Sequence, residues 1–184
     1  KKKKYKINKK GKIKLEMISK YHLSVSENLD LIDYAKKNNV RLMFSAFDKD
    51  SLKIILENKY IKDIKIPSGE ITNYQLLNMI SKSNKKLFMS TGMSNISEIK
   101  KAIETITNGN LSKYKNNFLL QCTSSYPTQL KDVNLNMMNY LKDKFKCKIG
   151  FSDHTLNDVA AQIAVAIGAE CIEKHVTLDN NMDG

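Results

Sequence analysis

The chain has 184 residues, 41% of them apolar, enough for one core of ordinary size and too few for two full domains. Its formal charge of +12 invites a nucleic-acid reading, yet beyond the first twenty residues the lysines are spread over the polar faces of expected helices. Arg41 is the only arginine, and base readout leans on the bidentate guanidinium, so no nucleic-acid partner is expected.

The lysine-rich start, "KKKKYKINKKGKIK", has no period and reads as a loop. No apolar run approaches the ~18 residues that span a bilayer, and no signal peptide follows the lysines, so a membrane-free, cytoplasmic protein is expected. Both ends, "KKKKYK" and "NNMDG", read as cut positions. The segment "SVSENLDLIDYAKKNN" (24 to 39) reads as a helix capped by Ser24 or Ser26, with His22 exposed before it.

Six short, nearly continuous apolar runs follow: "RLMFSAF" (41 to 47), "DIKIP" (63 to 67), "KLFMST" (86 to 91), "NFLLQCTS" (117 to 124), "CKIGFS" (147 to 152) and "ECIEKHV" (170 to 176). Each is bounded by polar residues, the pattern of strands buried on both faces. Between them lie segments of helical spacing, "SLKIILENK", "NYQLLNMISKS", "SEIKKAIETI", "VNLNMMNYLKDKF" and "LNDVAAQIAVAIGA", with Asn73 and Ser97 as expected caps. Cys122, Cys147 and Cys171 fall in or beside these strands and read as small buried side chains in a reducing compartment.

Strand and helix alternate at distances that suit right-handed crossovers and a parallel sheet. An α/β fold follows, either an open doubly wound sheet or a (β/α)₈ TIM barrel. With seven glycines and no G-x-G-x-x-G, the nucleotide-binding alternative loses its main signature, and the barrel is favoured.

In both folds ligands bind at the carboxyl ends of the strands. The residues there are Ser45 and Asp48; Lys65, Ser68 and Glu70; Ser90 and Thr91; Gln121, Thr123, Ser124 and Tyr126; Ser152, Asp153 and His154; and Lys174 with His175. Any one serine is as well explained by a turn, but parallel strands gather all six ends on one rim. Lys65 lies inside a strand covered on both faces, where an ammonium is costly unless paired or facing a ligand. His154 and His175 end successive strands, so their imidazoles can approach one cation. An open divalent-metal site and separate polar roles both remain on this spacing.

Together "KIPSGEITNYQLL", "STGMSNISEI", "LLQCTSSYPT", "VNLNMM", "IGFSDHT" and "AIGAECIEKHVTLD" resemble the sialic acid synthase family, the phosphoenolpyruvate-condensing synthases of nonulosonic acids. The resemblance implies a partial TIM barrel over residues 1–184, about strands 3 to 8, without the first two strands and the C-terminal antifreeze-like domain. It implies N-acetylneuraminate synthase activity, joining phosphoenolpyruvate to open-chain N-acetylmannosamine with loss of phosphate. The alternatives are a legionaminic acid or other nonulosonic acid synthase, or a non-catalytic fragment of one. The implied cofactor is a divalent cation, commonly Mn²⁺, held by His154 and His175. Lys65, Ser68, Ser90 and Ser152 match contacts to phosphoenolpyruvate, joined by Ser45, where the family has threonine, and Ser124, where relatives often carry asparagine. Glu70 and Tyr126 match contacts to the N-acetylated amino sugar, Glu70 being placed for proton transfer. The full-length parent is expected to be a homodimer, and the fragment alone poorly active.

Overall fold

The structure, a computed structural model, describes residues 19–181. The expected loop at residues 1–14 lies outside them. The described residues fall into two compact units. In the described residues, the first takes 19–40 with 177–181 and the second takes Arg41–Val176. Helix α1 of the first unit, Val25–Lys37, is capped by Ser24, not Ser26. Glu27 sits three residues on: its amide donates to Ser24 Oγ at 3.3 Å, and its carboxylate accepts from the Ser24 amide at 2.6 Å.

The second unit alternates β1 (Met43–Ser45), α2 (Lys49–Glu57), β2 (Asp63–Ile66), α3 (Tyr74–Ile80), β3 (Lys86–Ser90), α4 (Ile96–Thr107), β4 (Phe118–Cys122), α5 (Asn136–Phe145), β5 (Lys148–Asp153), α6 (Val159–Ala166) and β6 (Ile172–Lys174). All six strands are parallel and paired in chain order, as the alternation predicts. The edge strands β1 and β6 are three residues each, shorter than their apolar runs, because each has a ladder on one side only. Helix starts follow local chemistry. Asn73 caps α3, and Asp48 caps α2 by accepting from the Ser51 amide at 2.9 Å. The cap of α4 is Asn95 and not Ser97: Glu98 lies three residues beyond Asn95 and completes a reciprocal pair, while the Ser97 hydroxyl only donates to Asn95 Oδ1.

Alternation along each strand separates two faces. Ile64, Ile66, Leu87, Met89, Leu119, Ile149 and Phe151 face the helices and are buried with Leu52, Leu77, Ile103, Met138, Leu141 and Ala164. Each of these side chains larger than alanine contributes roughly 1.5–3 kcal/mol. The opposite face is concave. Lys65 on β2 and Glu173 on β6 lie four strands apart, about 19 Å on a flat sheet at ~4.8 Å per strand, yet Lys65 Nζ is 3.0 Å from Glu173 Oε1. The sheet therefore curls into an open half-barrel. Its lumen carries a floor of stacked rings, Phe88 and Phe118, with centroids 4.6 Å apart and planes 5° from parallel. The Lys86 and Lys148 ammonium groups lie 4.8 and 5.4 Å from the Phe118 ring. Toward the edge, the Arg41 guanidinium grips the buried Asp63 carboxylate with two N–H donors, Nη2 at 2.7 Å.

Candidate active site at the carboxyl ends of the strands

Above the aromatic floor the lumen turns polar. Register aligns Cys122 with Ser152 and Ser152 with Glu173, so these three point into the lumen at one level. Lys65, with only 11% of its side chain exposed, reaches this level from β2. Its ammonium donates to Ser90 Oγ and pairs with Glu173, whose Oε1 also accepts the Ser152 hydroxyl at 2.6 Å. One cation, two hydroxyls and one carboxylate thus form a single network drawn from β2, β3, β5 and β6. Ser45 aligns with Lys65 on the neighbouring strand.

A second cluster surrounds Gly92, in the turn that follows β3. Its amide donates to Ser68 Oγ at 3.0 Å, and Ser68 lies in the short turn after β2. A Cβ at Gly92 would come within 2.4 Å of Ser124 Oγ, 2.9 Å of Ser68 Oγ and 3.1 Å of the Cys122 carbonyl oxygen. Glycine is therefore required for the backbone to approach these hydroxyls. We expect Gly92→Ala to weaken inorganic phosphate binding, followed by isothermal titration calorimetry, about tenfold or more, because the donors move off their shared target. Unchanged affinity would show that this cluster holds no anion.

At the mouth, His154 and His175 follow the aligned pair Asp153 and Lys174, and their ring centroids are 5.5 Å apart. Tyr126 lies against both, 4.1 Å from His154 and edge-on at 5.8 Å from His175, while 67% exposed. Burial, then the Cys122 and Glu173 charges, push its phenol above the usual range, so it stays a donor at neutral pH. His154 Nδ1 is 2.9 Å from the Thr123 carbonyl oxygen, which only accepts, so Nδ1 donates there, and in the neutral imidazole Nε2 is the nitrogen with the lone pair. That tautomer and spacing fit a cation ligand. Among the described residues no group of three or more His, Cys, Asp or Glu is arranged around a metal. The two imidazoles could supply two nitrogens to a cation, fewer than the three protein ligands usual for a catalytic zinc.

Several rim residues turn away from the lumen. Asp153 and Lys174 face the helix layer and bond each other at 2.7 Å. Gln121 donates to the Val133 carbonyl oxygen, Thr91 to that of Leu120, and Thr123 to that of Asp132, while Asp48 is spent as a cap. Apart from these, the Glu70 carboxylate stays at the carboxyl end of β2, where it accepts from Asn73 Nδ2 at 2.7 Å. His22 is exposed, as expected. The sequence reading missed Glu173 and Gly92. Strand alternation from His175 marks Glu173 as lumen-facing, whereas nothing local marks Gly92. A cleft of about 730 Å³ opens at the other end of the strands, among Lys85, Lys86, Lys113 and Lys148. It holds neither imidazole nor carboxylate, and the groups capable of chemistry are at the mouth.

Residues 1–184 match the NeuB family. The chain belongs to this family. Its NeuB relatives include N,N'-diacetyllegionaminic acid synthase of Campylobacter jejuni, 45% identical over 170 residues, which are 92% of this chain and 50% of that protein. The enzyme of the same name from Legionella pneumophila is 38% identical over 92% of this chain and 48% of its own length. The crystal structure of the N-acetylneuraminic acid (sialic acid) synthetase of Leptospira borgpetersenii, in complex with citrate, aligns with a TM-score of 0.84 at 31% identity, covering 95% of this chain and 59% of that one. The chain spans about half the length of the curated relatives it matches. Among the described residues no helix is long and apolar enough to cross a membrane.

Proposed function

We propose that this chain carries the condensing centre of a nonulosonic acid synthase, which joins phosphoenolpyruvate to an open-chain N-acetylated amino sugar and releases phosphate. The observation that carries the reading is the stacking of two levels in one lumen: an ammonium and hydroxyls below, two imidazoles above. The lower level suits an anion. Lys65 supplies charge, and the hydroxyls of Ser45, Ser68, Ser90, Ser124 and Ser152 supply donors for the phosphate and carboxylate, with the Gly92 amide holding Ser68 in place.

With the anion fixed there, C3 of the enol phosphate faces the mouth. It forms the new bond to the aldehyde carbon of the sugar, water adds at C2, and the C–O bond to phosphate breaks. A divalent cation, Mn²⁺ by resemblance, supplies Lewis acidity at the aldehyde oxygen when bound by His154 and His175. Tyr126 packs beside the imidazoles as a donor to the sugar. By resemblance Glu70 is a second contact to the sugar, its carboxylate suited to proton transfer. The first two strands, the antifreeze-like domain and the homodimer belong to the same proposal for the parent.

N-acetylmannosamine and its 6-deoxy diacetamido analogue are both acceptors of this chemistry, and the names of the 45% and 38% identical relatives favour the second. The test supplies the intact protein with manganese, phosphoenolpyruvate and each sugar, and follows phosphate release. Turnover is expected with one sugar in preference. His154→Ala is expected to lose the thermal shift given by manganese and at least about 10²-fold in activity. No manganese shift, and no phosphate release with either sugar, would sink the reading.

A further inference from the structure

Glu173 sits where the proposed substrate anion has to go. Its Oε1 takes the Ser152 hydroxyl at 2.6 Å and the Lys65 ammonium at 3.0 Å, and Lys65 gives another N–H to Ser90. Counting donors makes the conflict plain. An ammonium has three N–H groups, so Lys65 keeps one beyond those given to Ser90 and Glu173. A serine hydroxyl has one proton, and that of Ser152 is given to Glu173. Ser152 cannot donate to a second anion without leaving the first.

The carboxylate is also no casual surface contact. It is 33% exposed, on the lumen face of β6, and ties the edge strand to β2 and β5 at once. An incoming phosphate or carboxylate brings like charge against it inside a partly enclosed lumen, where such juxtaposition is strongly unfavourable.

We propose that Glu173 is a positioning residue that acts as a built-in counter-anion. It holds Lys65 and Ser152 in the lumen and competes with the substrate anion for those same groups, which pass from the carboxylate to the ligand on binding. This deepens the proposed function and rests on its anion site. The role has an unusual signature, because removing the carboxylate improves anion affinity where removing a merely structural side chain would degrade it.

The experiment measures the dissociation constant of inorganic phosphate by isothermal titration calorimetry on the intact protein, with thermal denaturation as the check on folding. Glu173→Gln and Glu173→Ala are both expected to bind phosphate at least about tenfold more tightly than wild type. In a Ser152→Ala background the gain from Glu173→Gln should shrink by several-fold, since the hydroxyl under contest is gone. Unchanged or weaker binding in folded Glu173 variants, or an equal gain with and without Ser152, overturns the inference. Phosphate binding that is equal in wild type and Lys65→Met fails the anion site itself, and is thereby told apart from failure of the counter-anion role.

Discussion

Replacing Lys65 with methionine is expected to lower kcat/KM for phosphoenolpyruvate by about 10²–10³, the cost of deleting one preorganised charge from a reacting centre. The effect should fall on function and not on folding. Lys65 lies in the lumen, and its removal leaves Glu173 with the Ser152 donor and partial access to solvent. The thermal midpoint should move by no more than about a few degrees, since the partner left behind is one-third exposed and keeps a donor, unlike a fully buried charge. Lys65→Arg should fail to rescue, because a planar fork cannot meet Ser90 and Glu173 as a point charge does. Steady-state kinetics against phosphoenolpyruvate, with differential scanning calorimetry alongside, reads both quantities. A methionine variant with wild-type kcat/KM removes Lys65 from the reaction.

The largest loss of stability is expected on the other face. Lys174→Met should cost about 3–5 kcal/mol, because it strands a carboxylate with no exposed surface. Asp153 accepts from Lys174 Nζ at 2.7 Å and from the Thr155 amide at 2.8 Å, and Lys174 also donates to the carbonyl oxygens of Thr155 and Asn157. Burial pushes the Asp153 carboxyl up, but the Lys174 ammonium and the Thr155 donors outweigh it and hold the group below the ordinary range. A carboxyl depressed in the folded state adds stability that is full above its unfolded value, about 3.9, and disappears as pH falls through the lower folded value. The gap between wild type and Lys174→Met, measured by urea unfolding, should therefore be wide at pH 7 and close below about pH 4. A gap under about 1 kcal/mol, or one indifferent to pH, would show that the pair is not coupled to folding.

The strands, their order and the polar character of their carboxyl ends were legible because covered parallel strands leave uninterrupted apolar runs, and crossovers fix their order. Lys65 and the two histidines stood out as costly or metal-capable groups in such runs. Outside β6, where His175 sets the alternation, the way each rim residue faced was not legible. Where both faces of a strand are apolar, the period of two vanishes, so "NFLLQCTS" gives no sign that Cys122 enters the lumen while Gln121 turns to Val133. Asp153 and Lys174 looked like partners of a ligand for the same reason, and they partner each other. Glu173 went unnoticed between a lysine and an isoleucine. The need for glycine at position 92 is set by Ser68 and Ser124, 24 and 32 positions away, a distance no local pattern reports.

The three-residue length of β6 gives its pairing with β5 little backbone authority, since only Ile172, Glu173 and Lys174 have partners on β5. A slide of one residue would invert every side chain of the strand. His175 and Glu173 would then be aimed at the helices, and an ammonium would enter the cavity in their place. The interlock between Asp153 and Lys174 opposes that slide, because the inverted phase would leave Asp153 buried without its cation. A contact on the dry side of the sheet thus sets the phase of the chemistry on the wet side.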